Sequence, residues 1–189
     1  VYRILTTLTV YGYLARDEKT NLYRLERKIL SLGYKAIDES SLIERSLDVM
    51  RELREETGES VFLAVQLGNQ GVTIEQLPGL HPVKVLSEIG HRFPMYTSAP
   101  GKALMAFLPE TEAEEVIRNQ PYKKLTDRTI TGIRAMRAEL EMVRHLGYSL
   151  DQGEELEDLH CVGAPVLNHR GHAIAAVWVR ALASVSRRE

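Results

Sequence analysis

The chain has 189 residues, of which 44% are hydrophobic and 26% charged, with a single cysteine, Cys161. That suits a soluble globular protein with one good-sized core, or a medium domain with a small appendage, and it excludes an intrachain disulfide framework. No apolar run reaches membrane-spanning length and no signal peptide opens the chain, so a cytoplasmic protein with no membrane partner is expected. The net charge of −2 is unevenly spread, with seven basic side chains in residues 1–35 (Arg3, Arg16, Lys19, Arg24, Arg27, Lys28, Lys35) against Asp17, Glu18 and Glu26. A basic short segment on an acidic body suggests an anion-binding head with nucleic acid as its partner, although a basic patch is also what a solvated face looks like.

Val1, Ile4, Leu5, Leu8 and Val10 repeat at helical spacing, and Gly12 stops the run. Tyr13 to Arg16 and Leu22 to Leu25 flank the polar turn Asp17-Glu-Lys-Thr-Asn21, so a helix followed by a β-hairpin is predicted, the way a winged helix ends. Residues 27–36 read as a short linker helix. From Ser40 a longer amphipathic helix buries Leu42, Ile43, Leu47, Met50 and Leu53 and closes at Gly58, leaving Glu52, Arg54, Glu55 and Glu56 wet.

Residues 61–67 and 72–77 form strands around Gly68-Asn-Gln-Gly71, and residues 83–86 add a third candidate. The stretch Tyr96-Thr-Ser-Ala-Pro-Gly-Lys-Ala-Leu-Met-Ala-Phe-Leu-Pro109 is a loop breaking into an apolar helix. Thr97 or Ser98 caps it, Pro100 suits its first turn, and the amides near Gly101 and Lys102 are left open to a small anion such as a carboxylate. An ordinary capped core helix is the competing reading. A short acidic helix at residues 112–119, a helix at 133–145 stopped by Gly147, and strands at 161–167 and 173–180 complete the chain. Hairpins with segregated helices predict an α+β fold.

Two separated motifs carry a resemblance. Ser98-Ala-Pro-Gly-Lys-Ala-Leu-Met-Ala-Phe-Leu-Pro-Glu110, and then Gly147-Tyr148 with Asp151, Glu155, Cys161 and Ala164-Pro165-Val166, resemble IclR-type bacterial transcriptional regulators. The resemblance implies a GAF/PAS-like antiparallel sheet flanked by helices, preceded by a partial winged helix-turn-helix. It divides the chain into the end of a DNA-binding head (residues 1–25, the earlier helices being absent from this sequence), a linker helix (26–38) and an effector-binding domain (39–189). It also implies DNA contacts from Tyr2, Arg3 and Thr6, and an effector pocket lined by Ala99, Pro100, Gly101, Asp151 and Cys161.

Trp178 and Arg180 depart from the small polar residues many members carry at two effector-contacting positions. Alternation puts Ala176, Trp178 and Arg180 on one face of the last strand. Trp178 then fills space or stacks on a flat ligand, and Arg180 forks onto a carboxylate, stands in water at the strand end, or pairs with Asp151 or Glu155.

Catalysis is not predicted. Cys161 has His160 on the opposite strand face and reads as a small buried residue, and no phosphate loop, nucleophile elbow or carboxylate pair can be assigned. His169 and His172 flank a turn, and Asp151, Glu154, Glu155, Glu157 and Asp158 lack calcium-loop spacing, so neither metal nor cofactor is expected. Those acids read as a solvated lid with Asp151 alone inside. The expectation is a homodimeric or homotetrameric regulator that binds double-stranded operator DNA and responds to a small organic-acid effector. A stand-alone GAF-like sensor or enzyme carrying a basic helical hairpin is the alternative.

Overall fold

The periodic opening of the chain folds as a helix, α1 (Tyr2–Val10), and the chain turns at Gly12 with φ 75°. The computed structural model describes residues 2–29 and 40–182, and the chain divides into two compact units, Val1–Arg45 and Ser46–Glu189. In the first unit β1 (Leu14–Arg16) pairs antiparallel with β2 (Tyr23–Leu25), Leu14 opposite Leu25. Asp17 builds the turn by accepting from the amides of Lys19 (2.8 Å) and Thr20 (2.9 Å). The inward side of α1 is Leu5, Leu8 and Thr9. Ile4, which periodicity placed there, is 65% exposed. From residue 30 to residue 39 the expected linker helix lies outside the described residues.

The long amphipathic helix is α2 (Ser40–Thr57), closed by Gly58 at φ 70°, with Met50 buried on its apolar side. β3 (Ser60–Leu67) and β4 (Gln70–Leu77) form the predicted hairpin. Residues 83–86 are not a strand, and β4 takes its outer partner from β5 (Arg92–Pro94) instead. Their apolar side chains do not alternate between core and solvent: Val83 and Leu86 are exposed, and Val85 packs on a core cluster.

Three helices follow, α3 (Ala99–Ala106), α4 (Glu110–Arg118) and α5 (Ile133–Leu146), the last ended by Gly147 in the left-handed region. Three strands end the unit, β6 (Ser149–Gln152), β7 (Leu159–Leu167) and β8 (Ala173–Leu182). All pairs are antiparallel in the order β5-β4-β3-β8-β7-β6, so the last strand joins the first hairpin to the C-terminal strands. This is the α+β architecture that the hairpins predicted.

α3 is buried along its whole length, between the sheet and α5. Its Ala103, Leu104 and Met105 share a core with Met136, Leu140 and Val143 of α5, Val116 and Ile117 of α4, and Ala176 of β8. The N-terminus of α3 comes down on β7 at Gly163, where an added Cβ would lie 2.9 Å from the Ala99 carbonyl carbon. Ser149 of β6 ties the same point by donating to the carbonyl oxygens of Ala99 (2.6 Å) and Gly163 (3.1 Å).

Candidate functional site

Strand pairing sets one row of side chains across the sheet. Ser60 on β3 lies opposite Arg180 on β8, Arg180 opposite Cys161 on β7, and Cys161 opposite Asp151 on β6. The next row on the same face is Phe62, Trp178, Gly163 and Ser149. Because Gly163 and Ser149 carry the N-terminus of α3, Ala99 and Pro100 stand beside both rows. The structure thus brings Ala99, Pro100, Gly101, Asp151, Cys161, Trp178 and Arg180 to one end of α3 and one face of the sheet.

The wall of this site is aromatic. Trp178 stacks on Phe62 (centroids 4.9 Å apart, planes 17° apart) and meets the edge of Phe93 at 5.6 Å. Of the two sequence-based roles for Trp178, this packing is that of a space-filling side chain. Ala99, Cys161 and Leu159 complete the same cluster. Phe62 and Phe93 escaped the sequence reading because nothing local marks a residue whose partner, Trp178, lies on a strand far along the chain.

Arg180 is half-buried, and its Nε is shielded from solvent with no hydrogen-bond partner among the described residues. Asp151 and Glu155 feel its positive charge, yet among the described residues neither closes an ion pair on it within 4.0 Å. Both carboxyls are nonetheless held above their ordinary range, because burial outweighs the Arg180 charge at Glu155 and, at Asp151, the Glu154 amide, Lys102, the Gly153 amide and Arg180 together. Burial, with the Asp151 charge adding to it, pushes the Cys161 thiol up to about 12. A thiol so placed stays protonated at neutral pH and is no nucleophile.

The amides of α3 differ from the sequence-based expectation. Ser98 is the N-cap, its Oγ accepting from Gly101 N at 3.2 Å, and Lys102 N donates to Ser98 O at 3.0 Å. Those two amides are therefore satisfied, and Pro100 has none. The buried Thr97 hydroxyl, the other candidate cap, has no partner among the described residues.

The Lys102 side chain takes a role that no local pattern announced. It is 1% exposed and donates from Nζ to Glu139 on α5 (2.9 Å) and to Glu154 in the β6–β7 loop. Glu154 is thus buried beside Asp151, and only Glu157 and Asp158 form the wet part of the acidic segment. Burial pushes the Glu154 carboxyl up to about 7, with Lys102 opposing the shift. Among the described residues no group of three or more His, Cys, Asp or Glu side chains is placed to hold a metal ion.

In the first unit, Tyr2, Arg3 and Thr6 are exposed on α1, and Thr6 donates its hydroxyl to Tyr2 O at 3.0 Å.

Residues 34–189 match the family model described as the bacterial transcriptional regulator IclR C-terminal. The chain belongs to the IclR family. Its second unit is accordingly the effector-binding C-terminal domain of an IclR-type regulator. The HTH-type transcriptional regulator KdgR of Escherichia coli is 35% identical over 180 residues, covering 95% of this chain and 68% of that protein. Among solved structures, IclR of Thermotoga maritima aligns with a TM-score of 0.74 at 29% identity, over 97% of this chain and 74% of that one. An IclR homolog of Microbacterium hydrocarbonoxydans, solved with 4-hydroxybenzoate, shares the fold with a TM-score of 0.81 at 23% identity, over 96% of this chain and 75% of its own. IclR regulators bind DNA and small-molecule effectors. No described helix is long and apolar enough to cross a membrane.

Proposed function

We propose that this IclR-family regulator senses a small carboxylate at the face bounded by the α3 N-terminus and the Asp151–Cys161–Arg180 row, and that it acts without catalysis. The observation that carries this is the Arg180 guanidinium, whose buried Nε lacks a partner among the described residues while flanking carboxyls stand off it. A buried donor without a partner costs about 1–3 kcal/mol, which an incoming carboxylate returns through a charge-assisted hydrogen bond. Ala99, Pro100 and Gly101 frame the site as backbone, Asp151 and Cys161 line its floor, and Trp178 limits its size. The aromatic wall favours a compact acid.

In this reading residues 1–25 end a winged-helix head, residues 26–38 link it, and residues 39–189 hold the effector. Tyr2, Arg3 and Thr6 face operator DNA. Two heads reading a pseudo-palindrome make the working unit a homodimer or homotetramer, in the cytoplasm. The effector acts through its difference in affinity between two arrangements of the regulator. The test is a thermal-shift screen of small carboxylates, with 4-hydroxybenzoate included, beside neutral amides of the same shapes. Acids should raise the melting temperature and the matching amides should not. Equal shifts from acid and amide would reject a carboxylate site.

The head yields its own expected result. Arg3 is exposed on α1, so in the intact regulator Arg3→Ala should weaken binding to all DNA sequences alike. It should also lower the slope of log affinity against log salt by about one contact per head. Gel-shift titrations at several salt concentrations measure both. A variant that relaxes sequence preference at an unchanged slope would make Arg3 a base reader.

A further inference from the structure

The loop from β6 to β7 is held at three points. Its amides at Gly153 and Glu154 donate to Asp151 Oδ1 at 3.1 and 2.8 Å. Its carbonyls at Gly153 and Glu154 accept from the Thr126 and Thr129 hydroxyls, both at 2.7 Å. Its third tie is the Glu154 carboxylate, taken by Lys102. The first tie begins on a residue of the site, and the third begins on the helix whose N-terminus frames the site. Lys102 is also fixed from behind by Glu139, so one buried ammonium joins α3, α5 and the loop. Beyond Glu154 the chain passes straight to Glu155, the half-buried carboxyl that feels Arg180.

We infer that Lys102 is a positioning residue that, acting through Glu154, fixes the β6–β7 loop and so sets where Asp151 and Glu155 stand relative to Arg180. It does this without itself touching the effector. A hydrophobic residue at this position would fill the space without offering a hydrogen bond to the loop. A buried ammonium, in contrast, can direct donors to two elements at once. The other Glu154 oxygen is buried without a partner, so the loop's carboxylate has no alternative anchor among the described residues.

The bearing of this on sensing rests on the reading of the row as the effector site. The test below uses no effector, so the two can fail separately. Glu154→Ala removes the loop's tie and leaves Lys102 paired with Glu139, with no buried charge uncompensated. Glu139→Gln weakens the other tie and leaves the loop held. Amide hydrogen exchange is followed on the full chain by mass spectrometry. In Glu154→Ala the amides of Gly153, Glu154 and Glu155 should exchange about tenfold faster or more, while β3 and β4 keep the parent rates. In Glu139→Gln the loop should keep its parent rate. If Glu154→Ala does not fold, Glu154→Gln replaces it in the same comparison. A loop that loosens only when Glu154 is changed supports the inference. A loop unmoved by either variant, or loosened equally by both in step with the sheet, overturns it, because Lys102 is then only part of the general packing.

Discussion

Lys102→Met is expected to lower the stability of the effector domain by about 3–5 kcal/mol at pH 8, the range for breaking a buried ion pair from one side. Lys102 is the buried cation between Glu139 and Glu154, and methionine fills its space while leaving both carboxylates without counter-charge. The deficit has a pH signature. Burial holds Glu154 up to about 7, against 4.5 for an ordinary glutamate, so between those values the folded chain holds a proton that the unfolded chain releases. That contribution is full below 4.5 and is lost as pH rises through about 7. Without Lys102 the Glu154 carboxyl rises further, and a protonated carboxyl needs no counter-charge. The gap between variant and parent should therefore be largest above pH 7 and shrink towards pH 5. Urea unfolding of both proteins at pH 8 and pH 5.5 measures it, and a gap independent of pH would contradict the assignment of a charged pair.

Gly101→Val should abolish stable folding of the same domain, or lower its stability by more than about 3 kcal/mol. A Cβ at Gly101 would lie 2.3 Å from both the Cα and the carbonyl oxygen of Met95, and 2.6 Å from the capping Ser98 Oγ. Two of these contacts are backbone, so no rotamer change relieves them, and α3 would have to lift away from the strand-to-helix turn. The motif thus contributes to the site through packing: glycine lets the helix start pressed against Met95. A binding defect in an otherwise intact Gly101→Val protein, seen by circular dichroism and thermal melting, would contradict this account.

Much of the fold was legible because its elements announce themselves locally. The hairpin turn at Gly68-Asn69, the stop at Gly147 and the 3.6-residue repeat of Met136, Leu140 and Val143 are properties of short windows. β6 was not legible, because its inward residues Ser149 and Asp151 are polar and are buried only by what α3 and the loop place over them. Within the site, alternation correctly set Trp178 and Arg180 on one face of β8, whereas the register shift between Val166 and Leu167, which ends the strict alternation of β7, has no mark in the sequence. Lys102 was read for its amide, while its importance lies in a side chain that reaches Glu139, 37 positions along the chain, and Glu154, 52 positions along. Charged residues carry no periodic signal that distinguishes a buried network from a wet face, which is also why Glu154 passed for part of a solvated lid.

The proposed carboxylate site is tested most directly by calorimetric titration of the parent and of Arg180→Ala with whichever acid gives the largest thermal shift. The parent should bind the acid, and Arg180→Ala should lose about 1.5–3 kcal/mol of binding free energy, the range for a hydrogen bond to a charged group. Affinity for the uncharged amide should be weak and unchanged. An Arg180→Ala protein that is folded and binds the acid as tightly as the parent would place Arg180 outside the site and contradict the account.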